Sequence, residues 1–85
     1  MKRFEYVISD KLGIHARPAG ELVKIAQKVE SKILIKHGEK EVDAIKLLAI
    51  MALGVKCGEK LVFEIEGPDE DTAYEKIKSF MESSL

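Results

Sequence analysis

The sequence predicts an α+β sandwich in the order βαββαβα, and three observations carry that prediction. Four short segments alternate apolar and polar residues, the period of a strand with one buried face. Three others hold apolar residues at three- and four-residue steps, or as a run of strong helix formers. A glycine-centred turn joins two of the alternating segments directly, which puts a hairpin in the middle of the chain. Strands and helices interleaved in this way call for helices covering one face of a sheet. The 85 residues, 46% hydrophobic and 34% charged, suffice for one core and are too few for two, so 1–85 reads as a single domain.

Each element has its own justification. From Arg3 to Ser9, Phe4, Tyr6 and Ile8 face one way and Arg3 and Glu5 the other, with Val7 the exception. Ser9 to Gly13 is a loop. Ala19, Leu22, Val23, Ala26 and Val29 then form one apolar face of a helix running from about Ala16 to Val29 or Glu30. Pro18 belongs in its first turn, where a missing N–H costs nothing. Arg17 and Glu21 stand four apart and are expected to pair, for about 0.3–0.5 kcal/mol. Lys32 to Lys36 alternates again, and Glu41 to Ala44 returns after the turn His37-Gly38-Glu39-Lys40, where His37 reads as a solvated loop residue.

Ile45 to Leu53 is almost wholly apolar and reads as a short helix ended by Gly54. Ile45, Ala49, Ile50 and Leu53 are assigned to the core, which leaves Leu47, Leu48 and Met51 outward as an apolar patch. Gly58 closes a turn, and Glu59 to Glu66 is the fourth strand, with Leu61, Phe63 and Ile65 inward. Gly67-Pro68 breaks it. Asp69 opens the last helix as its N-cap, Glu70 and Asp71 complement the helix dipole, and Ala73, Ile77, Phe80 and Met81 form its buried stripe. Ser83-Ser84-Leu85 reads as a frayed tail.

The chemistry concentrates in Gly13-Ile14-His15-Ala16-Arg17-Pro18-Ala19. Gly13 supplies the freedom to turn the chain, and His15 falls at the N-cap of the first helix. The first-turn N–H groups of a helix have no internal partners and carry the positive end of its dipole, so they make an anion site. Arg17 adds a guanidinium suited to phosphate oxygens. The same positive field favours a neutral, nucleophilic imidazole, equipped to accept a phosphoryl group covalently. Taken alone, a His-x-Arg-Pro is more often a cap beside a solvated charge; the helix start is what points to function. Asp10 or Ser9 is placed to hold the imidazole, although ordinary loop chemistry is the simpler reading of Asp10.

The run Asp10-Lys11-Leu12-Gly13-Ile14-His15-Ala16-Arg17-Pro18-Ala19 resembles the active-site signature of HPr, the histidine-containing phosphocarrier of the bacterial phosphotransferase system. The likeness extends over Leu53-Gly54 with Gly58, the Glu66-Gly67 turn and the acidic start of the last helix, and so spans nearly the whole chain. The resemblance implies an open-faced sandwich, a four-stranded antiparallel sheet covered on one face by three helices. It implies that His15 takes a phosphoryl group on Nδ1 from enzyme I, charged by phosphoenolpyruvate, and passes it to IIA-type domains of the sugar phosphotransferase system. Arg17 and the N–H groups of Ala16 and Arg17 would steady the phosphate. Leu47, Leu48 and Met51, with Gly20 and Lys24, would form the docking face.

Two departures stand out. Many HPr proteins carry a regulatory serine at the start of the short helix, and alignment on Leu53-Gly54 puts Lys46 there. The residue before Gly13 is Leu12, where some HPr proteins have a small polar residue. A nitrogen-branch or other paralogous carrier, or a partner-binding module without phosphoryl transfer, is the alternative reading.

Other classes find no support. There is no Gly-rich nucleotide loop, no CxxC pair, no metal-spaced ligand cluster and no Ser-His-Asp order, so no cofactor or metal is expected and the chain is not expected to be a stand-alone enzyme. A net charge of −1 gives no basic field for nucleic acid. The single Cys57 suits a reducing compartment, and neither a signal peptide nor an apolar run of about 20 residues is present. A cytoplasmic monomer is the expectation.

Overall fold

The computed structural model describes every residue from Met1 to Leu85. Seven elements follow one another: β1 (Lys2–Val7), α1 (Ala16–Gln27), β2 (Lys32–His37), β3 (Lys40–Asp43), α2 (Leu47–Ala52), β4 (Lys60–Glu66) and α3 (Glu70–Ser84). The order is the expected one. The strands form a single antiparallel sheet, β1-β4-β2-β3, so the last strand is inserted between the first and second.

Alternation along each strand decides which face the helices cover. Phe4 stands opposite Phe63, and Phe63 opposite Ile35, so a row of core side chains crosses β1, β4 and β2. Ile33, Leu61 and Ile65 share that face and are buried with them beneath Leu22, Ile50, Ile77 and Met81 of the three helices. The rings of Phe4 and Phe63 stack with centroids 4.8 Å apart, and Tyr74 meets Phe4 edge-on at 5.3 Å. Such aromatic pairs add about 0.5–1.5 kcal/mol beyond their burial. The other face is laced with charge: Lys36 Nζ lies 3.1 Å from Glu64 and 3.5 Å from Glu41. Its hydrogen bond to Glu64 holds the Lys36 ammonium above the usual lysine range. No helix is long and apolar enough to cross a membrane.

Six expectations are corrected by the contacts that the fold makes. Helix α1 stops at Gln27, short of Val29, and Val29 packs on the core as a loop residue. The reason lies 39 residues away: the Asp69 carboxylate accepts the Glu30 N–H at 2.9 Å and the Ser31 N–H at 2.8 Å. Those amides are drawn out of the helix ladder. The Ser31 hydroxyl donates to the same carboxylate. Asp69 therefore stands at the N-cap position of α3 without capping it through its side chain. Glu70, the first residue of α3, instead accepts the Gly67 N–H at 3.3 Å and so ties the helix to the turn before it.

Ile45 is 48% exposed, not in the core, because α2 begins only at Leu47. An Asp43 turn intervenes, its carboxylate accepting the Ile45 N–H at 3.1 Å, and Ala44 fills the core position instead. Leu85 is buried, not frayed: α3 continues to Ser84, and the Leu85 N–H donates to the Met81 carbonyl at 3.0 Å. Phe80 is only partly buried, and Ala73, Ile77 and Met81 make the stripe. His37 is no solvated turn residue. It ends β2 with Nε2 3.2 Å from Glu59.

Two measurements test these constraints. The Ser31 hydroxyl, then the Glu30 and Ser31 N–H groups, hold the Asp69 carboxyl below its usual range. A depressed folded value means stabilisation that is present above the unfolded pKa of about 3.9 and lost as pH falls through the folded value. Asp69→Asn should lower the urea midpoint at neutral pH, with the gap to wild type closing in acid. Gly13 has φ +68°, and a Cβ there would meet the Val55 carbonyl oxygen at 2.3 Å, whereas nothing lies within 4 Å of one at Gly20. Gly13→Ala should cost about 1–3 kcal/mol and Gly20→Ala, mid-helix, should gain about 0.5–1 kcal/mol, both read from denaturation curves.

Candidate functional site

The segment from Ile8 to His15 is placed by carbonyls remote in sequence. Ile8 donates to the Glu59 carbonyl at 3.0 Å and accepts from the Gly58 N–H at 2.7 Å. The Leu85 carbonyl takes three donors, the Ser9 N–H at 2.6 Å, the Asp10 N–H at 2.9 Å and the Ser9 hydroxyl at 2.8 Å. The Gly13 N–H donates to the Asp10 carbonyl at 2.9 Å, and the Leu12 N–H to the Asp10 carboxylate at 2.8 Å, which closes a tight turn. Ile14 then donates to the Val55 carbonyl at 3.1 Å. Gly13 is needed because the Val55–Lys56 backbone occupies the space of any Cβ.

The chain enters α1 at His15, which is extended (φ −126°, ψ −179°) and whose carbonyl accepts the Ala19 N–H at 3.0 Å. Its side chain caps nothing and is 37% exposed, with Nε2 3.8 Å from Asp10 Oδ2. The Ala16 and Arg17 N–H groups have no carbonyl a turn earlier to bond, and Pro18 has no N–H. They form the open amide end of a 12-residue helix, with no acidic residue in its first turn. His15, Arg17, Asp10, Pro18, Glu21 and Ser84 line one shallow hollow over this end.

Arg17 and Glu21 share that hollow without the expected ion pair, and Arg17 forms no salt bridge at all. The guanidinium is thus available to an anion, where bidentate contact with phosphate oxygens is its strongest use. In the loop that supports Ile14, Glu59 accepts the Lys56 N–H at 2.7 Å. That bond, with His37 beside it, holds the Glu59 carboxyl below the usual carboxylate range. No group of three His, Cys, Asp or Glu side chains is gathered as for a metal ion.

The remaining singled-out residues lie on the adjoining surface. Leu48 is 80% exposed, and Leu47 and Met51 are exposed to 37% and 39%. Gly20 and Lys24 stand one turn apart on α1, which packs against α2, so the two helices share a surface. Sequence reasoning did not anticipate the Val55 and Leu85 carbonyls, Ser84, or the bond from Lys56 to Glu59. Backbone acceptors leave no trace in residue type; only Gly13, as the residue that must lack a Cβ, signals one of them.

Comparison with known proteins agrees with this arrangement. The family model described as the PTS HPr component phosphorylation site matches residues 2–83. The chain is 38% identical to the phosphocarrier protein HPr of Mycoplasma capricolum, over 95% of this chain and 91% of that one. It is 37% identical to the HPr of Lysinibacillus sphaericus, over 95% and 92%. A mycoplasma histidine-containing phosphocarrier structure superposes with a TM-score of 0.94 at 36% identity, covering 98% of this chain and 94% of the other. With the signature at the helix start, the open sheet and this likeness over almost its full length, the chain belongs to the HPr family of phosphocarrier proteins of the phosphotransferase system.

Proposed function

We propose that His15 accepts a phosphoryl group on Nδ1 from phosphoenolpyruvate-charged enzyme I and passes it to IIA-type domains of the sugar phosphotransferase system, in the cytoplasm. The observation that carries this reading is an imidazole without a capping bond, set over the open amide end of α1 beside an unpaired Arg17. The imidazole lone pair forms the new bond to phosphorus as the donor's bond breaks. The Ala16 and Arg17 N–H groups and the guanidinium offset the charge on the phosphoryl oxygens. Because the hollow is shallow and solvent-exposed, that stabilisation is moderate, as a group that must be handed on requires. All these groups lie on one chain, so a monomer suffices.

The apolar residues of α2 supply the docking surface in this reading. Leu47, Leu48 and Met51 are exposed together beside the imidazole-bearing helix, and Gly20 leaves room for a partner to approach α1. Lys24 adds a positive rim. Lys46 stands at the N-cap of α2, the place of the regulatory serine in many relatives, and it has no hydroxyl to phosphorylate. Control by HPr kinase is therefore absent in this chain.

Intact mass after incubation with phosphoenolpyruvate and a bacterial enzyme I tests the carrier role. A single acid-labile phosphate is expected, with none on His15→Ala; retained acceptance by that variant would sink the assignment. Arg17→Ala should slow acceptance by about 10²-fold, the effect of removing one charge-stabilising donor. Incubation with HPr kinase and ATP should leave the mass unchanged, and stoichiometric labelling of any serine would contradict the Lys46 reading.

A further inference from the structure

We propose that Asp10 is the positioning residue of His15, holding the imidazole in the tautomer with its proton on Nε2 so that Nδ1 presents the lone pair. This deepens the carrier reading and rests on it for its consequence in phosphoryl transfer. The Asp10 carboxylate is itself immobilised. Its residue's N–H donates to the Leu85 carbonyl, its carbonyl accepts the Gly13 N–H, and Oδ1 accepts the Leu12 N–H at 2.8 Å. Oδ2 is left with no hydrogen bond, and it is the oxygen that faces Nε2 at 3.8 Å.

That separation is too long for a hydrogen bond in the resting protein, and contacts of this kind tighten as a reaction complex forms. It is nevertheless the only carboxylate within salt-bridge range of the ring. Leu12, 74% exposed, brings no acceptor from the same turn. A neutral imidazole carries one N–H and one lone pair. A carboxylate opposite Nε2 attracts the N–H to that side. Nδ1 is by covalent structure the nitrogen nearer the backbone, hence nearer the amide end of α1, where a lone pair is welcome and an N–H is not. Both ends of the ring thus favour the same tautomer.

The same arrangement serves the transfer. The Nδ1 lone pair forms the bond to phosphorus, and the electron pair of the broken bond leaves with the donor. The ring then bears positive charge shared with Nε2–H, and no proton has to depart. Asp10 Oδ2 faces that N–H and offsets the charge.

The test separates positioning from turn-making. Asp10→Asn keeps an Oδ1 acceptor for the Leu12 N–H but turns an NH₂ donor towards Nε2. Asp10→Ser keeps an acceptor for the turn and leaves nothing opposite the ring. Ring ¹⁵N chemical shifts of His15 in the full-length, unphosphorylated protein report the tautomer, and the Leu12 and Ile14 amide resonances report the loop. Wild type should show the Nε2–H form dominant, Asp10→Asn a shift towards Nδ1–H, and Asp10→Ser a more even mixture. Acceptance from phosphorylated enzyme I should fall about tenfold in kcat for Asp10→Asn with KM unchanged, the scale on which outer orienting partners act. An unchanged tautomer in either variant overturns the proposal. If wild type accepts no phosphate, the carrier reading fails while the tautomer result still stands or falls by itself.

Discussion

The structure turns on the pinning of residues 8–14 by the backbone carbonyls of Glu59, Leu85 and Val55. A loop of this kind would otherwise sample many conformations, at a cost of about 1–2 kcal/mol per ordered residue. Each hydrogen bond returns only about 0.5–1.5 kcal/mol net. The bonds are made by segments already held by the core, however: Leu85 by its burial at the end of α3, Val55 and Ile8 by theirs. Order in the loop is thereby borrowed from the core, and His15 stands at the mouth of α1 rather than moving with a free loop.

A second clasp closes the opposite side of the sequence map. Asp69 gathers the Glu30 and Ser31 amides, and Gly67 lies so close to Ser31 that a Cβ would sit 2.6 Å from its Cα. The two turns that connect α1 to β2 and β4 to α3 are thus fastened to each other. Since β4 lies in the centre of the sheet between β1 and β2, fixing its exit also fixes the start of α3. Helix α3 in turn carries Leu85 to the loop that bears Asp10. The clasp and the pinned loop are two ends of one rigid path.

The site itself is built with restraint. Its donors are the amide end of one helix and one guanidinium, all facing a shallow hollow, with no buried charge to desolvate. A deep, dry pocket would strengthen every electrostatic contact and hold the phosphoryl group too firmly for a carrier. His15 and the apolar residues of α2 both stand open at the surface.

Periodicity and residue type made much of this legible. The order βαββαβα, the inward faces of Phe4, Ile33, Ile35, Leu61, Phe63 and Ile65, and the outward Leu47, Leu48 and Met51 follow from local alternation and helical spacing. So does the placing of His15 at the N-terminus of α1, because Pro18 fixes the first turn of the helix and Gly13 permits the left-handed turn before it. The tertiary structure alone decided the end of α1, the exposure of Ile45, the burial of Leu85 and the absence of an Arg17–Glu21 pair. The end of α1 and the seating of Leu85 depend on which distant atoms arrive within a few ångströms, and a carbonyl or carboxylate gathered from far along the chain leaves no period to read.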